Sequence, residues 1–180
     1  MHQLETYSLI TGALIDECFI AEEEIGLPSS KYITFHPYHS KGNARQYDSW
    51  KEVVNLLKKS CPNYEMVQIG MENDDRYEVN TSLLGKTSYN SLAYLIKNCS
   101  LHLGYDSLAV HLASHYQKKI VAIYPHWIKS SGPYFSNSED VALFEPDFSK
   151  IKPSYSYHDP HGLVNTITPE EIANSVINLL

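Results

Sequence analysis

The residues that most clearly suggest a functional site lie in LHLGYDSLAVHLASHYQKKIVAIYP, residues 101–125. Asp106 and Ser107 follow an apolar run that is typical of a buried strand, and they precede a helical pattern that carries His111. The amides of a first helical turn attract anions, so a carboxylate and a hydroxyl beside them can contact a polar ligand. Capping of the helix by Asp106 or Ser107 explains the same residues without a ligand, and both interpretations stay open.

His111 also has a structural explanation. On a helix of Leu, Ala and Val, a histidine more often packs in the core than performs catalysis. A triad of Ser107, His111 and Asp106 is rejected, because residues so close together at one helix start do not give the geometry of nucleophile, base and orienting acid. The G-x-S-x-G turn of the serine hydrolases is also absent from the sequence.

Two further polar loops carry candidate ligand-binding residues. HPYHSKGNARQYDS, residues 36–49, contains Lys41 and Arg45, which could neutralise a phosphate or lie in solvent as ordinary loop charges. The acidic turn MENDD, residues 71–75, contains Asp74, for which a solvated turn is the default interpretation.

A metal site is conceivable in YHDPHG, residues 157–162, which contains His158, Asp159 and His161. A His-x-x-His spacing around a proline fits no strong metal-binding template. A polar loop is therefore the favoured interpretation, and nothing in the sequence requires a metal.

The elements that must position these loops alternate between strand and helix patterns. The strand patterns are KYITFHP, YEMVQIG, SLHLGY, KIVAIYP and DVALFEP. The helix patterns are LIDECFIAEEEI (residues 14–25), DSWKEVVNLLKKSCP, SYNSLAYLIKNC, SLAVHLASHYQ and TPEEIANSVINLL, the last with Thr168 and Glu171 placed for a capping box. This alternation predicts an α/β fold: a Rossmann-like parallel sheet with helices on both faces. In such a sheet, ligands bind beyond the carboxyl ends of the strands, where the loops around Lys41 and Asp106 begin.

Composition restricts the classes of function. The chain has 180 residues, 43% of them hydrophobic, which suits one domain with a substantial core. The net charge of −7 excludes the broad basic surface that nucleic-acid binding requires. The three cysteines have no metal-type spacing and are expected to be buried thiols. No apolar stretch is long enough for a membrane span and the start has no signal-peptide pattern, so we expect a soluble, cytoplasmic protein.

Residues 30–180 resemble the C-terminal half of the heptosyltransferase-type glycosyltransferases of family 9, which have the GT-B fold. The resemblance is most specific over LLGKTSYNSLAYLIKNCSLHLGYDSLAVHLASHYQKKIVAIYP, where the family pattern has a G-x-T-S-L helix start and then D-S/T-G-x-x-H-L-A. It implies a domain of residues 31–180 that binds a nucleotide-diphosphate sugar, commonly ADP-heptose, as substrate and without a cofactor. Residues 1–30 would form an N-terminal helix and linker.

The resemblance also implies roles for individual residues. Asp106 would face the hydroxyls of the donor sugar, and His111 would support that loop from one helical turn away. The diphosphate of the donor would be bound by Ser107, Leu108 and Ala109, and its charge would be neutralised by Lys41 or Arg45. Asp74 would contact the ribose. The base would lie beside Lys86, Thr87 and Ser88.

Two departures from the family pattern matter. Leu108 stands where the family has a glycine, and its side chain could hinder close approach of the diphosphate. The family's catalytic aspartate lies in an N-terminal half, to which we expect no part of this sequence to correspond. The acceptor's proton would therefore go to a base on a partner chain or a second copy, or to one of Asp106, His39 and His126. The alternatives are therefore a glycosyltransferase, a non-catalytic nucleotide-sugar-binding module with a partner subunit, and a nucleotide-binding domain unrelated to sugar transfer.

Overall fold

The computed structural model describes residues 1–16, 19–37, 46–125, 128–146 and 162–180. The described elements, in chain order, are α1 (Gln3–Thr11), β1 (Tyr32–His36), α2 (Trp50–Ser60), β2 (Glu65–Gln68), β3 (Thr81–Ser82), α3 (Tyr89–Asn98), β4 (Leu101–Tyr105), α4 (Leu108–His115), β5 (Lys119–Ile123), α5 (Ile128–Ser131), β6 (Val141–Phe144) and α6 (Pro169–Leu179). Short 3-10 turns occupy Ser138–Asp140 and Leu163–Thr166.

The described strands form one sheet with the order β3-β2-β1-β4-β5-β6. Every neighbouring pair is parallel, as the alternating strand and helix patterns predict. The strand order reverses between β1 and β4, where Ile33 pairs with Leu101 and His36 pairs with Gly104. In doubly wound sheets this reversal opens a crevice at the carboxyl ends of the two strands. The predicted Rossmann-like fold is confirmed.

Side chains alternate between the two faces of the sheet, and each face carries its own core. On one face, Ile33, Phe35 and Leu103 pack with residues of α2 and α6. On the opposite face, Tyr32 and Ala122 pack with residues of α3 and α4. The prediction of helices on both faces is therefore confirmed, and both faces of the central strands are buried.

The predicted helix over residues 14–25 is wrong. Helix α1 instead ends at Thr11, with Gly12 as its left-handed C-cap, and none of the described residues between Gly12 and Ser30 is helical. Leu14 and Phe19 are exposed, so the apolar spacing that suggested a helix does not mark a buried face. Ile20 and Ile25 do pack against the core on the α3 and α4 side, but from a segment without regular secondary structure.

The capping box predicted for the last helix is confirmed. The Thr168 hydroxyl accepts a hydrogen bond from the Glu171 amide at 3.3 Å, and the Glu171 carboxylate accepts one from the Thr168 amide at 2.8 Å. Pro169 occupies the first helical turn, where its missing N–H costs nothing.

The expectation of buried thiols is met by Cys61 and Cys99, both buried and unbonded to another cysteine; Cys18 lies outside the described residues. Among the described helices, none is long and apolar enough to cross a membrane.

Candidate functional site

A cleft of about 600 Å³ opens at the carboxyl ends of β1 and β4, where the strand order reverses. Its walls come from four separate segments: the end of β1, the turn after β2, the start of α3, and the turn from β4 into α4. The lining residues are His36, Ile69, Gly70, Met71, Asp74, Thr87, Ser88, Tyr89, Leu92, Asp106, Ser107, Leu108 and Ala109. This is the position at which open parallel sheets hold their ligands.

Seven of the residues singled out in the sequence meet at this cleft. Asp74, Thr87, Ser88, Asp106, Ser107, Leu108 and Ala109 all line it. Lys86 is exposed outside the lining, and its amide donates to the Leu83 carbonyl at 3.0 Å. Lys41, Arg45, His39 and His126 lie outside the described residues, as do His158, Asp159 and His161.

Helix α4 begins at the cleft without a side-chain cap. Ser107 occupies the N-cap position in extended conformation, but its hydroxyl makes no capping hydrogen bond. The first amides of a helix have no partner inside the helix, and together with the helix dipole they attract an anion. The Leu108 and Ala109 amides belong to this first turn, beside the cleft.

The Ser107 hydroxyl lies beside a histidine instead. Its Oγ is 3.1 Å from Nδ1 of His36, the last residue of β1. Burial lowers the pKa of His36 from 6.5 to about 4, because the charged imidazolium would lose its hydration. His36 is therefore neutral at neutral pH and carries a single N–H.

Asp106 and His111 form a loose pair across the first turn of α4. The Oδ1 atom of Asp106 is 3.6 Å from Nε2 of His111, which is longer than a hydrogen bond. The His111 side chain is 45% exposed, so the packed-core interpretation of this histidine is wrong. His111 does not line the cleft; it lines an adjoining pocket of about 390 Å³ that shares Leu108 with it.

Capping does not explain Asp106 either. Among the described residues, no hydrogen bond joins its carboxylate to an amide of α4. The carboxylate is 20% exposed and borders the cleft, so it is available to a ligand that offers hydroxyl groups.

Leu108 fits the helix start without backbone strain. Gln117 is the one non-glycine residue in the described part of the chain with a positive φ, so Leu108 does not need the conformational freedom of glycine. Its side chain is 49% exposed and forms part of the wall between the cleft and the adjoining pocket. Any obstruction of a ligand therefore comes from the bulk of the side chain.

Asp74 is not a solvated turn residue. It is 7% exposed, and its Oδ2 accepts a hydrogen bond from the Met71 amide at 2.7 Å. Burial raises the pKa of this carboxyl and the Met71 bond partly opposes the rise. Gly70 makes this arrangement possible for two reasons. Its φ of 147° is one that residues with side chains rarely adopt, and a Cβ added there would clash with Asp74 Oδ2. The carboxylate organises the turn and lines the cleft at the same time.

His36 is the site residue that sequence reasoning missed. It begins the polar loop that follows the first strand, and the sequence indicates no individual role for it. The available signal was its position as the last residue of a strand whose carboxyl end meets the ligand crevice. Its contact with Ser107, 71 residues later, depends on the close approach of β1 and β4 at Gly104, and no local pattern encodes it.

The fold is similar to that of several solved glycosyltransferases. ADP-heptose LPS heptosyltransferase II of E. coli has a TM-score of 0.62 at 19% identity, with 97% of this chain and 50% of that chain covered. The family 9 glycosyl transferase of Veillonella parvula has a TM-score of 0.64 at 17% identity, covering 98% of this chain and 49% of that one. E. coli heptosyltransferase WaaC with ADP gives 0.58 at 13% identity, covering 86% and 46%. These likenesses show the fold, and the chain spans about half the length of each structure.

A search of curated proteins returned no match. A scan against family models matched residues 11–152 to glycosyltransferase family 9 (heptosyltransferase). This match covers more than half of the sequence and includes the described lining of the cleft. The chain therefore belongs to glycosyltransferase family 9.

Proposed function

We propose that this chain binds a nucleotide-diphosphate sugar in the cleft between β1 and β4 and transfers its glycosyl group, or helps another chain to transfer it. The observation that carries the proposal is the meeting of unlike groups in one cleft. Uncapped amides of α4 and the Ser107 hydroxyl suit phosphate, whereas the Asp74 and Asp106 carboxylates suit hydroxyl groups. A sugar nucleotide presents both kinds of group.

The proposed reaction is a displacement at the anomeric carbon. The bond from that carbon to the diphosphate oxygen breaks, an acceptor oxygen forms a new bond to the carbon, and the acceptor's proton passes to a base. The α4 amides would stabilise the charge that grows on the leaving diphosphate. Lys41 or Arg45 would add a positive charge, since both follow within nine positions of His36 in the sequence and His36 lines the cleft.

The alternative is a binding module without activity of its own. The observation that favours it is the extent of the match, because the chain spans about half of each similar solved structure. In this alternative the cleft still holds the nucleotide sugar, while a partner chain or a second copy supplies the acceptor site and the base. Sedimentation or light scattering would reveal a second copy.

Isothermal titration with ADP, UDP, GDP and their sugar conjugates tests the shared part of both alternatives. Binding of one nucleotide series, with the sugar conjugate bound at least as tightly as the free nucleotide, is the expected result. Absence of binding at millimolar concentrations would reject the donor site. Hydrolysis of the bound donor or transfer by the purified chain would then favour the enzyme over the module.

The substitution Asp106→Ala is expected to weaken binding of the sugar nucleotide about tenfold or more, because a hydrogen bond to a charged group contributes about 1.5–3 kcal/mol. Since Asp106 does not cap α4, the free energy of unfolding is expected to stay within about 0.5 kcal/mol of the original value. Titration and urea unfolding measure the two quantities.

Thr168→Ala is the matched control for Asp106→Ala. It removes a real cap at the start of α6 and is expected to cost about 1 kcal/mol of stability with no change in affinity. If Asp106→Ala lowers stability but leaves the affinity for the sugar nucleotide unchanged, Asp106 has a purely structural role.

Shortening Leu108 is expected to tighten binding of the diphosphate severalfold, because its side chain forms part of the cleft wall at the first turn of α4. Leu108→Ala and Leu108→Gly should have similar effects, since the backbone already has an ordinary conformation and only side-chain bulk is removed. Titration with ADP and pyrophosphate measures the change. Unaltered affinity in both variants would show that Leu108 does not limit the approach.

A further inference from the structure

In the described part of the chain, Ser or Thr occupies the N-cap position of four helices, α2, α3, α4 and α6, but not all of these hydroxyls cap their helix. The Ser88 hydroxyl caps α3 by accepting from the Ser91 amide at 3.1 Å, and the Thr168 hydroxyl caps α6 in the same way. Ser107 at the start of α4, like Ser49 at the start of α2, makes no capping hydrogen bond. Helix α4 therefore gives up a stabilising hydrogen bond, and the Ser107 hydroxyl is left for another use.

His36 fixes where that hydroxyl lies. Its Nδ1 is 3.1 Å from Ser107 Oγ, and its ring lies at the carboxyl end of a central strand rather than on a surface loop. The backbone beneath it is held by β4, because Gly104 approaches the His36 carbonyl so closely that an added Cβ would be 2.5 Å from the oxygen. The contact is thus built into the sheet.

The direction of the hydrogen bond follows from the chemistry of the proposed ligand. A fully ionised diphosphate offers only acceptors, so a serine hydroxyl that binds it must give its single proton to the phosphate. In its contact with His36 Nδ1, the Ser107 oxygen can then serve only as the acceptor. Asp74 and Asp106, the described carboxylates of the cleft, have no proton to offer when ionised, whereas a neutral imidazole carries one N–H.

We propose that His36 is a positioning residue of the donor site: its Nδ1–H donates to Ser107 Oγ and thereby directs the Ser107 hydroxyl proton at a phosphate oxygen of the bound nucleotide. This inference rests on the proposed function. The lowered pKa of His36 agrees with it, because a neutral ring supplies the donor without placing a buried positive charge beside the sheet.

A double-mutant cycle tests the proposal, with ADP as the probe and adenosine as its phosphate-free counterpart. His36→Phe keeps a ring but removes both nitrogens, His36→Asn keeps an N–H donor close to the position of Nδ1, and Ser107→Ala removes the hydroxyl. We expect His36→Phe to weaken ADP about tenfold and His36→Asn to weaken it less than threefold. Adenosine affinity should be the same in all variants.

The variant that carries both substitutions completes the double-mutant cycle. In the Ser107→Ala background, His36→Phe is expected to cause no further loss of ADP affinity, because the group it positions is already gone. Additive losses, or an equal loss for adenosine, would overturn the proposal. If His36→Phe does not fold, the other two variants decide. Retained ADP affinity in His36→Asn, together with weaker ADP binding in Ser107→Ala, supports the proposal. A large loss of ADP affinity in His36→Asn overturns it.

Failure of the inference can be told from failure of the proposed function. If the unmodified chain binds none of ADP, UDP and GDP, the donor site itself is rejected. If it binds ADP and His36→Phe binds ADP equally well, only the role of His36 is rejected.

Discussion

Replacing Gly104 with alanine is expected to lower the free energy of unfolding by about 1–3 kcal/mol, the usual range for overpacking a close-packed core. An added Cβ would lie 2.5 Å from the His36 carbonyl oxygen and 3.3 Å from the His36 Cβ. The oxygen cannot retreat easily, because β1 is bonded to β2 on one side and β4 on the other. Urea unfolding, analysed at constant slope, measures the loss.

Gly26→Ala is the matched control for Gly104→Ala. Gly26 has no atom within 4 Å of the position of a Cβ, and its φ does not lie in the left-handed region. Alanine there should raise stability by about 0.4–1 kcal/mol, because it restricts the unfolded chain. A Gly104→Ala protein as stable as the original would mean that β1 and β4 can separate at this point. Such separation would also remove the support proposed for His36.

Mild acid is expected to destabilise the protein strongly between pH 7 and pH 5. Burial lowers the pKa of His102 from 6.5 to about 3, with a further contribution from the charge of His36, and burial lowers the pKa of His36 to about 4. Both groups bind protons more readily in the unfolded chain, so the free energy of unfolding falls as the pH drops below 6.5. Each histidine accounts for about 2 kcal/mol by pH 5.

His102→Asn separates this effect from the titration of carboxylates. His102 is fully buried, its Nδ1 is 3.0 Å from the Thr34 hydroxyl, and its Nε2 has no hydrogen-bond partner among the described residues. Asparagine can keep a polar atom near the position of Nδ1 without titrating in this range. Stability measured from pH 7 to pH 5 should fall about half as steeply in the variant. A flat profile in the unmodified protein would show that both histidines can be protonated in place.

The sheet and its main helices were predictable because their signals are local. The Thr168 capping box, the apolar face of α2 and the β-branched run of β1 each follow from residues a few positions apart. The helix expected over residues 14–25 failed because its apolar spacing is not matched by burial. Helix α1 was missed because His2, an unusual capping residue, starts it and none of its residues is buried.

The candidate site was predictable only as a set of loops. The rule that ligands bind at the carboxyl ends of parallel strands selects the loops around Lys41 and Asp106. The Asp106 turn lines the cleft, as does Asp74, which only the family resemblance indicates, whereas Lys41 lies outside the described residues. The contact of His36 with Ser107 and the burial of Asp74 were not predictable. The first depends on a distant glycine in β4, and the second depends on the turn at Gly70. Sequence spacing does not report contacts of this kind.

The order of the strands also determines when the cleft can form during folding. The cleft lies where β1 pairs with β4. In this pairing Thr34 lies beside His102, which is 68 positions later in the sequence. Pairings of such long sequence separation carry a high entropic cost of loop closure and slow the folding of parallel sheets. As the ribosome makes the chain, β1 has to wait until β4 has emerged before the two can pair. The crevice therefore cannot form before β4 has been made, and until then the edge of β1 that pairs with β4 is exposed to misassembly.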